Sequence, residues 1–153
     1  MVPWSELEIA EPEIAAAGRR LLEDAPGIPT IAFLATVGIN TRPRVHPFMP
    51  AVVTGRLWAF VIRSPKQQDL DRNGRYAIHS VLGPRDESLF VSGGALRVDS
   101  PHERSEVGDH MPYNDIDDRH VLYEFRIDRA SWTMWTTPTT PLHRKWKVGD
   151  ARP

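Results

Sequence analysis

The chain has no cysteine among its 153 residues. This absence excludes disulfide bridges, zinc–thiolate sites, iron–sulfur clusters and thiol catalysis together. An excess of charge of one sign is lacking too, since 19 Lys and Arg residues nearly balance 20 Asp and Glu residues. The formal net charge of -1 argues against a protein whose main partner is nucleic acid or an anionic membrane surface.

Long apolar runs are missing as well. No stretch approaches the roughly 18 residues that a membrane-spanning helix requires, and the segment MVPWSELEIAEPE has neither the basic nor the apolar region of a secretory signal. We therefore expect a cytoplasmic protein without a membrane partner. An apolar fraction of 41% is ordinary for a globular chain, and the length predicts a single domain spanning residues 1–153.

The common catalytic and metal-binding motifs are absent. There is no glycine fingerprint for a dinucleotide, no Walker loop and no histidine pair at helical metal spacing. Asp115, Asp117 and Asp118 lack the glycine and the closing glutamate of a calcium loop. No metal site is predicted, and the order of residues alone does not identify a Ser, His and Asp triad.

Short segments rich in β-branched and aromatic residues dominate the chain. Thr30–Val37 and Leu57–Ile62 are compact apolar runs, and Thr41–Thr54 alternates with a period of two. Three prolines in Thr41–Thr54 predict an edge strand or one interrupted by bulges. Gly93-Gly94 marks a bulge or a close backbone approach inside a later strand. The remaining predicted strands are Arg75–Leu82, Ser88–Asp99, Val121–Asp128 and Ala130–Thr136.

Helix signals are fewer. The apolar spacing in Glu11–Ala25 predicts an N-terminal helix within residues 1–27. Ser64-Pro65 and Ser100-Pro101 each begin a short crossover helix, and residues 137–153 form a polar, proline-rich tail. Strands joined by mostly short connections predict a mainly β fold, a six- to seven-stranded antiparallel barrel with an N-terminal helix and short crossover helices.

The turn after Leu57–Ile62 has the composition of an anion site. Ser64 is placed to cap a helix and Pro65 occupies its first position, where a missing N–H is harmless. Arg63 and Lys66 add two cations to the partial positive charge of a helix N-terminus. The turn therefore predicts a phosphate cradle, although a solvated strand-to-helix turn has a similar composition.

Four segments of the chain resemble those of a known family. They are the strand IAFLATV, the Arg44-Val45-His46-Pro47 run, the Ser64-x-Lys66 turn and the ending SWTMWTTPTTPLHRKWKV. Together they are similar to the flavin-binding split β-barrels of the pyridoxamine 5′-phosphate oxidase type, over roughly residues 28–148. The resemblance favours the phosphate cradle over the solvated turn.

The resemblance implies an FMN-dependent oxidoreductase that transfers hydride to or from a small-molecule substrate at the interface of a homodimer. In the family, the C-terminal segment completes the site, often from the other subunit, so residues 137–153 are expected to contribute. His143 corresponds to a substrate contact, and no side chain stands out as a catalytic acid or base. The residues expected to bind FMN are Arg44, Val45, His46, Arg63, Ser64, Lys66, Gln67, Trp135 and Lys145.

Two prolines depart from the family pattern. Pro65 replaces an arginine of the phosphate turn, a charge that Arg63 can supply, and Pro141 replaces the substrate-binding arginine. Because a proline cannot grip a phosphate, pyridoxamine phosphate itself is not the expected substrate. A deazaflavin coenzyme in place of FMN, and a non-enzymatic flavin- or haem-binding barrel, stay open as alternatives. Trp135 is equally compatible with packing, and His46 with a strand position facing water.

Overall fold

The computed structural model describes residues 1–149, which begin with two helices, α1 (Trp4–Ala10) and α2 (Pro12–Leu22). The predicted amphipathic helix corresponds to α2, which buries apolar side chains along one face. It ends three residues earlier than predicted, because Glu23–Ala25 (β1) pairs with Ile28–Pro29 (β2) as a small antiparallel sheet. The separate helix α1 was not predicted.

The main sheet has eight strands and every pairing described in it is antiparallel. Seven of them follow the spatial order β4-β3-β7-β8-β9-β6-β5, and β10 pairs with β9. The bounds are β3 (Ala32–Val37), β4 (Pro43–Phe48), β5 (Ala51–Val53), β6 (Arg56–Ile62), β7 (Arg75–Ser80), β8 (Ser88–Val98), β9 (His120–Thr137) and β10 (Thr140–Lys147).

The two outermost strands of this path, β4 and β5, are consecutive in the chain. Only Met49 and Pro50 separate them, so the two edges of the sheet must lie close together and the sheet curls into a barrel. Thr41–Thr54 is thus not one strand but two, and both are edge strands of this path, so the predicted edge position is confirmed and the predicted single strand was wrong. The predicted mainly β, antiparallel split-barrel fold is confirmed as well, with eight strands in place of six to seven and two N-terminal helices in place of one.

Two sequence predictions about the C-terminal third were wrong. Val121–Asp128 and Ala130–Thr136 are not two strands but parts of the single 18-residue strand β9. The predicted tail contains β10, whose Trp146 lies opposite Ala130 and packs against the core. Prolines had hidden the alternation of this strand, and pairing with β9 stabilises it. Residues 150–153 of the predicted tail lie outside the described residues.

Two short helices cross the barrel, as predicted. Helix α3 (Pro65–Asn73) begins after Ser64 and ends at Gly74 in the left-handed conformation. Helix α4 (Pro101–Gly108) begins with Ser100, whose Oγ accepts a hydrogen bond of 3.3 Å from the Glu103 N–H. Helix α3 packs on β3, β6, β7 and β8, and therefore closes one end of the barrel.

The core has two parts on opposite faces of β6. Leu57 and Val61 point into the barrel, whereas Trp58 and Phe60 belong to a second cluster that includes Val107 of α4. Burial on both faces explains why β6 is a continuous apolar run. The predicted bulge lies between Ser92 and Gly93, and the Arg126 carbonyl approaches Gly93 so closely that a β-carbon would not fit there. No helix within residues 1–149 is long and apolar enough to cross a bilayer.

Candidate functional site

The start of α3 leaves its backbone donors available. Strand β6 delivers the chain to Ser64, which adopts an extended conformation at the helix N-cap. The Ser64 hydroxyl donates to the Ile62 carbonyl at 2.8 Å and makes no capping bond to the helix. The N–H groups of the first turn therefore keep their capacity to bind an anion.

Two cations flank this helix start. Arg63 is exposed and Lys66 is half-buried, and neither side chain has a hydrogen-bond or ion-pair partner in the described part of the chain. Burial lowers the pKa of Lys66, since desolvation disfavours the ammonium form. The two uncompensated cations and the helix N-terminus together make a site that fits a phosphate.

A buried carboxylate fixes α3 against the barrel. Asp69 contacts Arg72 at 2.8 Å and Arg44 of β4 at 3.2 Å, and it accepts a hydrogen bond of 3.0 Å from the Thr36 hydroxyl of β3. Burial raises the pKa of Asp69, but the hydrogen bonds from Arg72 and Thr36 and the charge of Arg44 outweigh it, so the pKa lies below its ordinary value. One carboxylate is shared by Arg44 and Arg72, so this cluster beside α3 keeps a net positive charge.

Gln67 and His46 face inward. Gln67 is buried, and its amide donates to Asp71 and to the Tyr123 hydroxyl. His46 lies opposite the buried Leu34, and its Nε2 atom is buried without a hydrogen-bond partner. An unpaired polar atom of this kind is suited to receive a group that the chain itself does not supply.

The other predicted residues lie on the outer face of the sheet. Strand pairing aligns Phe33, His79, Phe90, Ser131 and Lys145 in one row across five strands. On the same face, Val45 lies beside Ala35, His143 beside Thr133 and Trp135 beside Pro141. Trp135 is 37% exposed and lines a groove of about 900 Å³.

Within one chain, the cradle at the start of α3 does not come together with the predicted C-terminal site residues on β9 and β10. Ile62, at the entrance to α3, pairs with His120 at the start of β9, whereas Lys145 pairs with Ser131. These positions on β9 are eleven residues apart, about 36 Å of extended strand. The cradle residues and the C-terminal residues are thus well separated along β9.

Sequence reasoning missed a third feature beside the cradle. Arg97, Arg104 and His120 line, together with Arg63, a cavity of about 310 Å³ that we call the arginine pocket. No spacing in the sequence connects these residues, because the sheet and α4 bring them together only in the folded chain. Among residues 1–149, no group of three or more potential metal ligands occurs.

Comparisons with known proteins identify the fold. No protein-family model matches the chain, and no curated protein matches it by sequence. A protein related to general stress protein 26, of the pyridoxinephosphate oxidase family, from Clostridium acetobutylicum is similar with a TM-score of 0.61 and 13% identity, over 94% of this chain and 96% of that one. An F420 reductase is similar with a TM-score of 0.57 and 20% identity, over 73% and 94%.

A third structural neighbour is a heme binding protein from Mycobacterium smegmatis. It is similar with a TM-score of 0.59 and 14% identity, over 84% of this chain. The chain spans 57% of that protein's length. At these identities the likeness shows a shared fold, the split β-barrel of the pyridoxine phosphate oxidase-like proteins, and the neighbours differ in what they bind or do.

Proposed function

We propose that this chain is an FMN-binding oxidoreductase of the pyridoxamine 5′-phosphate oxidase-like family, with the flavin held between two copies of the chain. The observation that carries the proposal is the start of α3, where free helix N–H groups meet Arg63 and Lys66, both without side-chain partners in residues 1–149. This arrangement suits a phosphate monoester, the acidic group of FMN.

The residues of the cradle have different tasks in this proposal. Arg63 forks two hydrogen bonds onto phosphate oxygens, and Lys66 adds a point charge. Arg44 is already paired with Asp69, so it positions β4 against α3 without contacting the phosphate. The isoalloxazine ring, when bound, supplies the hydride chemistry. His46 Nε2 is available for a polar group of the ligand or for a water.

The outer face of the sheet supports a dimeric site. Phe33, Val45 and Phe90 are 41%, 63% and 37% exposed on this face, which also carries Trp135 and Lys145. Burying such a patch against a second copy stabilises association. A two-fold arrangement also allows Trp135 and Lys145 of one copy to approach the cradle of the other, which one chain does not achieve.

Two other ligands have support from specific observations. The F420 reductase among the structural neighbours supports the first of them. A deazaflavin coenzyme in place of FMN is a variant of the same proposal. Haem is the second candidate because His79 lies between Phe33 and Phe90 on the outer face. The His79 Nδ1–H donates to the Ser80 carbonyl at 2.7 Å, which leaves Nε2 as a lone-pair donor to a metal.

Titration of purified, ligand-free protein with FMN, with the deazaflavin coenzyme and with haemin tests these assignments. We expect tight FMN binding that Arg63→Ala combined with Lys66→Ala weakens by at least about a hundredfold, since each charge-assisted contact contributes about 1.5–3 kcal/mol. Arg75→Ala is the matched control, because Arg75 is exposed on β7 and lies away from the cradle.

The outcomes separate the candidates. Unchanged FMN affinity in the double variant would overturn the cradle. Binding of the deazaflavin coenzyme without FMN binding would reassign the cofactor and retain the cradle. Haemin binding that is lost in His79→Ala and kept in the double variant would make the chain a haem-binding barrel.

A further inference from the structure

The arginine pocket is separate from the free N–H groups of α3 but shares Arg63 with the cradle. Its lining residues come from the ends of β6, β8 and β9 and from α4. The pocket has a volume of about 310 Å³. The pocket is thus large enough for a phosphate or carboxylate group with part of the molecule that carries it.

Arg104 is held rigidly in this pocket. Its two Nη atoms donate to the carbonyls of His120 and Asp117, both at 2.6 Å, and its guanidinium lies 5.1 Å from the centre of the Phe60 ring. Carbonyl oxygens fix the orientation of a guanidinium without neutralising its charge. Arg104 therefore presents a preorganised positive charge to the pocket.

The guanidinium of Arg97 uses only some of its hydrogen-bond donors within the protein. Its Nε donates to Asp99 at 3.0 Å and its Nη1 to Asp71 at 3.5 Å, which leaves Nη2 without a partner. Arg63 has all its guanidinium donors available within the described part of the chain. Three arginines thus offer unused N–H donors around one cavity, and guanidinium groups bind oxyanions in well-defined geometry.

Charged groups of both signs face the pocket. Two carboxylates in its lining, Asp99 and Asp118, stand against the three arginines, and Asp71 contacts Arg97 from outside the lining. Asp99 is paired with Arg97, whereas Asp118 has no partner in residues 1–149. The imidazole of His120 contacts Asp117 at 2.9 Å, and Asp117 also pairs with Arg119 at 2.8 Å. Arg63 and Arg104 have no carboxylate partner among the described residues, so their charges are available to an added oxyanion.

We propose that the arginine pocket is a second oxyanion site, which binds a compact phosphate or carboxylate group next to the cradle. Because Arg63 directly precedes Ser64, the two sites adjoin. The oxyanion is either a second acidic group of the bound cofactor or a separate small anion. If the oxyanion is a second acidic group of the cofactor, the inference rests on the proposed function. If it is a separate small anion, the inference does not rest on it.

Calorimetric titration of the full-length protein with inorganic phosphate tests the proposal. We expect two phosphate sites in the wild type, one lost in Lys66→Ala and the other weakened at least about tenfold in Arg97→Gln. Asp118→Asn removes an unpaired carboxylate and should strengthen the second site by roughly fivefold. This gain cannot be produced by a variant that fails to fold. Arg75→Gln serves as the control and should bind like the wild type.

Flavin titration of the same variants distinguishes the two sources. If the oxyanion belongs to the cofactor, Arg97→Gln also lowers the affinity of the flavin that binds; if it is a separate anion, flavin affinity is unchanged. Phosphate affinity that is the same in wild type, Arg97→Gln and Asp118→Asn would overturn the second site. Failure of flavin binding with the phosphate effects intact would contradict the proposed function alone.

Discussion

His46 has the least satisfied environment of the predicted site residues. Its Nε2 is the one buried side-chain polar atom without a hydrogen-bond partner among residues 1–149. Leaving such an atom unpaired costs about 1–3 kcal/mol. Proteins retain costs of this kind mostly at sites selected for function, where stability is secondary. We therefore propose that His46 contacts a ligand.

Replacement of His46 separates stability from binding. We expect His46→Leu to raise the free energy of unfolding of ligand-free protein by about 1 kcal/mol, because the unpaired atom is removed. The same variant should bind FMN more weakly. Urea denaturation and FMN titration measure the two effects, and His102→Leu, at an exposed position of α4, should change neither. A loss of stability in His46→Leu would contradict this explanation.

Neighbouring residues of the cradle could be predicted together, and distant ones could not. Arg63, Ser64 and Lys66 adjoin in sequence, so their shared place at a helix start follows from the cap signal alone. Gln67 is adjacent too, but its buried amide donates to Asp71 of the same helix and to Tyr123 of β9, so its contact with a cofactor stays a prediction. Arg97 joins Arg63 only through strand pairing, which no local pattern encodes.

At the scale of elements, predictions held where local chemistry decides the structure. Helix α3 begins after Ser64 at the N-cap position, with Pro65 as its first residue, and this start was predicted from the sequence. Strand β10 contains Pro141, and its stability comes from pairing with β9, so its sequence resembled a tail. The same pairing supports the far half of β9, which explains why its full length was missed.

The attachment of α3 depends on Asp69. We expect Asp69→Asn to lower the free energy of unfolding by about 1.5–3 kcal/mol at pH 7, since Arg44 and Arg72 lose their carboxylate. The pKa of Asp69 in the folded chain lies below the ordinary 3.8, so the wild-type advantage is present above about pH 4. It is lost as the pH falls through the folded-state pKa.

Urea denaturation at a series of pH values measures this effect. Asp118→Asn is the control, because Asp118 is exposed and has no partner among the described residues, so it should change stability little. If the difference in free energy of unfolding between wild type and Asp69→Asn stays the same at acidic pH, the ionised carboxylate does not hold α3.

At the scale of the whole molecule, the predicted site is divided. The cradle lies at the end of the barrel that α3 closes. Lys145 and Trp135 lie on the outer face, about 36 Å and about 50 Å away along β9. That outer face carries exposed Phe33 and Phe90. Sequence reasoning grouped these residues by family resemblance, and only the register of the strands shows that one chain keeps them apart.

Mixing two defective variants tests the two-copy site most directly. One variant carries Arg63→Ala with Lys66→Ala, and the other carries Trp135→Ala. If each site combines a cradle from one copy with Trp135 from the other, a mixed dimer has one intact site and one doubly defective site.

Random exchange of equal amounts then restores FMN binding to about a quarter of all sites, although each variant alone binds weakly. The measurement is FMN fluorescence titration after unfolding and refolding the variants together. Recovery to about a quarter is the result that a flavin site shared between two copies predicts. Tight binding by Trp135→Ala alone, or no recovery in a mixture shown to contain mixed dimers, would contradict it.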